Sequence, residues 1–258
     1  MNTRNVTEPG VRPPPNAVRH TPLNPVDFMS LAPEVCRLFT LINPILVPGQ
    51  GLTVQFIGAH PNEGVSTIAR DFALTAAQYI NEPVLLLDLD THQDSHFNHF
   101  RQVLKQLGSP ANIESTLDLD IDLSPLIGGF NPVHSSPVLF HALPEIRLIL
   151  GRLDTKLNTS PGRVPCILNR PQVWDELRSR FMLTVVDSSP SNQSFDSIVI
   201  SGAMDAVVLV VRAESTRIPV VENLRDRLVA QGAPLVGLVL NQRRFYIPKS
   251  VYRLLHRL

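Results

Sequence analysis

The chain has 258 residues, 43% hydrophobic and 18% charged, enough for one large α/β domain or two small ones around a substantial core. Formal net charge is zero and the pI is near 7.1, so the overall balance supplies no electrostatic grip on nucleic acid or anionic lipid. The two cysteines, Cys36 and Cys166, lie far apart without metal-ligand spacing, which excludes a disulfide framework and fits a reduced, cytosolic protein. No apolar run approaches the roughly 18 residues of a membrane span, and the N-terminus lacks the apolar stretch of a secretion signal.

Residues 1–33 carry Pro9, Pro13, Pro14, Pro15, Pro22, Pro25 and Pro33 with little aliphatic periodicity. Proline removes backbone donors and forbids regular helix, so this segment reads as a flexible, partly polyproline II tail, and residues 34–258 as the folded domain. From Glu34 to Asn43, Val35, Leu38, Phe39 and Ile42 recur at helical spacing until Pro44 stops them. Leu52–Ile57 then reads as a strand ending at Gly58, and Ser66–Ile80 as a helix. Val84–Leu87 is an unbroken apolar run, the pattern of a strand buried on both faces of a parallel sheet. Residues 91–150 are less legible, with an acidic stretch from Asn112 to Asp122. His92, His96 and His99, spaced four and three apart, share one helical face; with no cysteine beside them they read as a solvated face.

Further strands follow at Leu183–Val186, Ala206–Val211 and Leu235–Leu240, with a helix from Pro219 to Ala230. Alternating apolar strands and helices predict an α/β fold: a doubly wound, mostly parallel sheet with helices on both faces. Ligands of such sheets sit beyond the carboxyl ends of the strands. Asp88, Asp187, Arg212 and Asn241 all fall there, as does the loop from Gly58 to Ser66.

That loop has the frame of a P-loop, G-x-x-x-x-G-K-[ST], in which backbone amides cradle phosphates, the lysine neutralises charge and the Ser/Thr hydroxyl holds Mg²⁺. Here Ala59 stands at the first glycine position, Gly64 at the second, Val65 at the lysine and Ser66 at the metal ligand. Pro61 and Asn62 suit a tight turn, and a helix beginning near Gly64 keeps free amides for an anion. A hydrogen bond to a charged group is worth roughly 1.5–3 kcal/mol, so losing the lysine weakens binding on the order of 10- to 100-fold. Phosphoryl transfer, which depends on electrostatic stabilisation of the moving group, suffers more. Asp88 and Asp90 after one strand and Asp187 after another suit Mg²⁺ ligation and activation of a hydroxyl.

Pro61-x-Glu63-Gly64-x-Ser66-Thr67, Val84-Leu85-Leu86-Leu87-Asp88-x-Asp90 and Val186-Asp187-x-x-Pro190 together resemble the bacterial tyrosine kinase (BY-kinase) family, within the MinD/ParA group of P-loop ATPases. Leu238-Val239-Leu240-Asn241 with Arg243–Pro248 is similar to that family's last strand and its extension. Glu34-x-x-Arg37 resembles its self-association helix. The resemblance implies ATP or ADP with Mg²⁺ as cofactors: Gly64, Ser66 and Thr67 at the phosphates, Asn241 near the base, Ser66 and Asp187 at the metal, and Asp88 and Asp90 as catalytic acids. The departures are as specific. Val65 replaces the lysine, Asn62 a loop glycine, His92 an arginine, and Thr40 the second arginine of the association motif. Of the C-terminal tyrosine cluster only Tyr246 and Tyr252 remain.

The implied function is that of a degenerate, kinase-dead member regulating exopolysaccharide or capsule synthesis and export. Its partner would be the cytoplasmic part of a membrane polysaccharide co-polymerase or export protein, which would hold it at the inner face of the plasma membrane. Self-association is the second implied contact. The alternative is an active ATP-binding protein: a weak MinD/ParA-type ATPase or a tyrosine kinase with an unorthodox P-loop, with Arg70 the only cation near the loop. A nucleic-acid partner is disfavoured by the balanced charge, although Arg243, Arg244, Lys249, Arg253 and Arg257 make a basic C-terminal end.

Overall fold

A computed structural model describes residues 28–29, 32–90, 95–108, 113, 115–128, 136–143, 146–154 and 166–243. Most of the proline-rich segment, His92, Arg244, Tyr246, Tyr252 and the rest of the C-terminal extension lie outside them. In chain order the elements are α1 (Ala32–Ile42), β1 (Leu52–Gly58), α2 (Val65–Tyr79), β2 (Val84–Asp88), α3 (Ser95–Gln106), β3 (Ile127–Gly128), β4 (Val138–Ala142) and β5 (Leu148–Leu153). Then follow β6 (Cys166–Ile167), α4 (Pro171–Arg180), β7 (Leu183–Asp187), α5 (Asp196–Ser201), β8 (Ala206–Arg212), α6 (Ile218–Ala230) and β9 (Leu235–Asn241).

Seven strands form one sheet in the order β4-β5-β2-β7-β1-β8-β9. All neighbours are parallel except the β4–β5 pair at one edge. β1, β2 and β7 are buried along their whole length, as expected of apolar runs covered on both faces. Side chains alternate across a strand, so two cores result. On one face Val54, Phe56, Leu86, Val185 and Val208 meet Phe39 of α1, Ile68 and Phe72 of α2, and Phe100 of α3. On the other, Ile57, Leu85, Leu87, Val186 and Val207 meet Trp174 and Leu177 of α4, Ile198 of α5, and Leu224 and Leu228 of α6. This is the expected doubly wound α/β architecture.

Three details refine the expectation. Phe28, within the proline-rich segment, is buried, its ring 5.6 Å from that of Phe100. Helix α1 lays Val35, Phe39 and Ile42 inward, stacks Phe39 on Tyr79 and sets it at a tilt against Phe72, which leaves Glu34, Arg37 and Thr40 outward. The last strand departs from the buried pattern read for its apolar sequence. β9 pairs only with β8, and Val236, Leu238 and Leu240 are 50%, 50% and 53% exposed because among the described residues nothing covers that side of the sheet edge.

At the end of the sheet away from the carboxyl ends, Asp205 Oδ2 accepts from Thr53 N and Oγ1 at 2.7 Å each and from Arg178 Nε at 2.9 Å. That clasp fixes the start of β1 and thereby the position at which its far end delivers the P-loop.

Candidate functional site

β1 ends at Gly58, and the chain turns through residues 59–64 into α2. Two residues of the turn are left-handed, Asn62 at φ 64° and Gly64 at φ 88°. Asn is one of the few side chains that tolerate this region, as its place in the sequence suggested. Gly64 is required twice over, because a Cβ there would also collide with Asn241 Nδ2.

Glu63 secures the loop from beneath. Its buried carboxylate accepts from Ala59 N at 2.6 Å and His60 N at 3.1 Å through Oε2, and from Thr216 Oγ1 through Oε1. Asn241, at the end of β9, donates from Nδ2 to the Glu63 carbonyl at 2.8 Å. Gln242 Nε2 reaches the Asn62 carbonyl at 3.4 Å. Thus the residue expected near a base has its amide engaged by the loop backbone, and two carboxyl-edge segments, after β8 and at the end of β9, lock the loop's shape. Glu63 stood in the loop motif without an assigned role; the bracing by Thr216 carries no sequence signal, because its loop meets Glu63 only in the fold.

Above the loop lies a cleft of about 230 Å³, walled by Asn62, Gly64, Val65, Ser66, Thr67, Arg70, Asp90 and Gln193, among others. Its volume is below the roughly 300–1,000 Å³ of ordinary small-molecule pockets, so it suits a polyphosphate better than an enclosed nucleotide. Val65, where the P-loop lysine would project, is buried. Arg70 lies four residues after Ser66 and three after Thr67 on α2, hence on the same helical face. It is 6% exposed, its Nε 3.7 Å from Asp71 Oδ1, and burial lowers its pKa against the raising influence of Asp71 and Asp187.

Behind the cleft the strand ends bring two acids together. β2 and β7 run in register with Asp88 opposite Asp187. Here the structure corrects the reading of the histidines. His96, expected on a solvated face, is fully buried, with Nε2 2.8 Å from Asp187 Oδ2. The reason is tertiary: the first turn of α3 lies over the ends of β2 and β7, which no helical periodicity reveals. His99 is half-buried and bonds to the Phe28 carbonyl at 3.1 Å. Asp88 Oδ1 accepts from Asp90 N at 3.1 Å, and Asp90 Oδ1 accepts from Ser189 Oγ at 3.1 Å.

The electrostatics of this cluster follow from its burial. Desolvation pushes the Asp88 carboxyl up to about 7; Asp187 adds to the rise, while His96 opposes it. Burial by itself would lower His96, but the Asp88 charge and the bond to Asp187 outweigh it and the imidazole is raised. The cluster therefore holds protons that isolated groups would have lost at neutral pH.

The residues expected at a metal thus have different surroundings. Ser66 lines the cleft, whereas Asp187 is buried with one oxygen engaged by His96. Mg²⁺ prefers six oxygen donors and keeps several waters, so a buried set containing an imidazole does not fit it well. A larger cavity of about 620 Å³ lies elsewhere, against Asp118, Asp120 and Asp122. Its carboxylates would repel a phosphate, and its described lining residues do not include the loop.

No family model matches the chain, and no curated protein sequence matches it. Solved structures do. The chimerical protein CapA2B2 is 18% identical with a TM-score of 0.56, over 83% of this chain and 85% of that one. The BceF tyrosine kinase domain is 18% identical at 0.54, over 81% and 76%. The kinase domain of the Escherichia coli tyrosine kinase ETK is 16% identical at 0.54, over 84% and 79%. At such identities the likeness is one of fold: the chain has the P-loop α/β fold of bacterial tyrosine kinase domains, in agreement with the resemblance read from its motifs.

Proposed function

We propose that this chain is a degenerate, kinase-dead protein built on the BY-kinase scaffold, acting in the regulation of exopolysaccharide or capsule synthesis and export. The observation that carries the reading is Val65. The loop keeps its turn, its helix and its bracing, but the position that should deliver a cation to the phosphates holds a buried aliphatic side chain. Phosphoryl transfer relies on preorganised charge around the moving group, and that charge is gone. Asp88 and Asp90 are then vestigial catalytic acids. Nucleotide, if retained, is held weakly by the amides from Gly64 to Thr67 with Ser66 and Thr67.

The working surface in this reading is the outside of the scaffold. The partner is the cytoplasmic part of a membrane polysaccharide co-polymerase or export protein, which places the chain at the inner face of the plasma membrane. Glu34 and Arg37, turned outward on α1, are the residues offered for self-association. Among the described residues no helix is long and apolar enough to cross a membrane, so attachment through a partner is the economical arrangement.

The test is phosphotransfer. Purified protein incubated with Mg-ATP should contain no phosphotyrosine above the background of Asp88→Asn. Phosphotyrosine abolished by that substitution would establish a kinase instead. A second reading, an active ATPase or kinase with an unorthodox loop, is favoured by one observation. Arg70 lies on the cleft wall, on the same face of α2 as Ser66 and Thr67. Under that reading Arg70→Gln removes turnover.

A further inference from the structure

We propose that Asp88, His96 and Asp187 form a binding site for a divalent cation of the zinc and cobalt(II) class, filled without nucleotide. The three side chains can each offer one ligand atom, and those atoms lie within 4.8 Å of one another. Zn–N and Zn–O bonds are about 2.0–2.2 Å, so donors in a tetrahedral set lie roughly 3.3–3.6 Å apart, and side-chain shifts of up to about 1.5 Å close the set. All three residues are buried, two on adjacent strand ends and one on a helix packed over them.

Independent of that geometry, the cluster contains unspent ligand atoms. Among the described residues, Asp88 Oδ2 and Asp187 Oδ1 are buried without a hydrogen-bond partner, and so is His96 Nδ1. Leaving a carboxylate oxygen dry and unpaired is costly, and cations are the usual remedy. His96 Nε2, which now donates to Asp187 Oδ2, gives up its proton to solvent when it takes a metal, and Nδ1 can carry the imidazole's remaining proton. Two carboxylates neutralise a dication, and the ion takes the place of the protons the cluster otherwise holds, which leave to solvent on binding. The imidazole sets the selectivity: nitrogen donors suit zinc and its neighbours, whereas Mg²⁺ and Ca²⁺ prefer oxygen. Arg70 faces Asp187 and opposes the ion, which argues for moderate affinity. The cleft offers the entry path, because Asp90, whose amide bonds to Asp88, lies on its wall.

The experiment uses the full, untagged chain, stripped with a chelator and titrated with CoCl₂ in the absence of nucleotide. Absorbance in the visible range reports coordination, and elemental analysis reports the ratio of metal to chain. The expected result is one Co²⁺ per chain, displaced by Zn²⁺, with a rise in melting temperature that an equal concentration of Mg²⁺ does not give. In His96→Gln the side-chain amide can still donate to Asp187 but offers metal no imidazole nitrogen. Its Co²⁺ affinity should fall by roughly tenfold or more while its metal-free melting temperature stays close to that of the parent. Asp88→Asn should show the same loss and serves as the comparison if His96→Gln does not fold. Absence of bound Co²⁺, an equal response to Mg²⁺, or unchanged affinity in the folded variants would overturn the site. Because no nucleotide is present, failure here leaves the kinase-dead reading intact, and failure of that reading leaves the metal site intact.

Discussion

Asp88 is held in a protonation state that water would not allow, and this has a measurable consequence. Its folded pKa is raised from 3.8 to about 7, and His96 is raised above 6.5. A group whose folded pKa exceeds its unfolded value stabilises the fold below the unfolded value and loses that contribution as pH climbs through the folded one. Both groups therefore act in the same direction. The melting temperature of metal-free protein should fall as pH rises from about 4 through 7 for Asp88, and further above 6.5 for His96. The other titratable and charged groups facing them are Asp90, Asp187, Arg70 and His99. Asp88→Asn, neutral at every pH, should flatten the slope between pH 4 and 7; a profile identical to that of the parent would contradict the assignment. Gly64→Ala tests the loop, because it forces a Cβ into a left-handed turn and against Asn241. It should cost at least about 1 kcal/mol by urea unfolding. Asn62 and Gly64 were legible in the sequence because turn chemistry is local. His96 was not: eight residues beyond Asp88, its burial depends on where α3 docks.

Elements show the same division. β1, β2, β7 and β8 are visible in the sequence because strands covered on both faces are mostly apolar, with only Thr53 and Gln55 in β1 and Thr184 in β7 breaking the runs before the strand ends. β4 and β5 escape because they contain His141, Gly151 and Arg152, and Arg152 is half-buried, donating to His141 Nε2 at 3.2 Å and lying over the Phe97 ring. β9 looks like its neighbours in composition but is an edge. Stability should report the difference. Leu86→Ala, in the centre of the sheet, should cost about 2–5 kcal/mol, whereas Leu238→Ala on β9 should cost under about 1 kcal/mol, since half of its side chain is already in water. Equal losses in urea melts would place a covering element over β9. The bracing of the P-loop is likewise testable. Glu63→Ala leaves the Ala59 and His60 amides and the Thr216 hydroxyl without their acceptor, at about 1–3 kcal/mol for each group left dry. Amide exchange at Ala59 and His60 should accelerate in that variant while exchange in β7 stays unchanged.

For the whole molecule, the contrast is between an intact frame and a changed centre. The seven-stranded sheet, both cores and the glycine turn are those of a phosphate-binding fold. The lysine position is aliphatic, the acids behind it share their pocket with a histidine, and Asn241 is spent on the loop. The residues that line the cleft and those that form the two cores meet at the carboxyl edge, so on the kinase-dead reading a change of chemistry there leaves the packing of the sheet in place.

Single-turnover hydrolysis, with protein in excess over ATP, tests the central claim without assuming a phosphate acceptor. The account predicts no phosphate release above buffer with or without Mg²⁺, and the same trace for Asp88→Asn. Mg²⁺-dependent release that Asp88→Asn abolishes would contradict it and restore this chain to the catalysts.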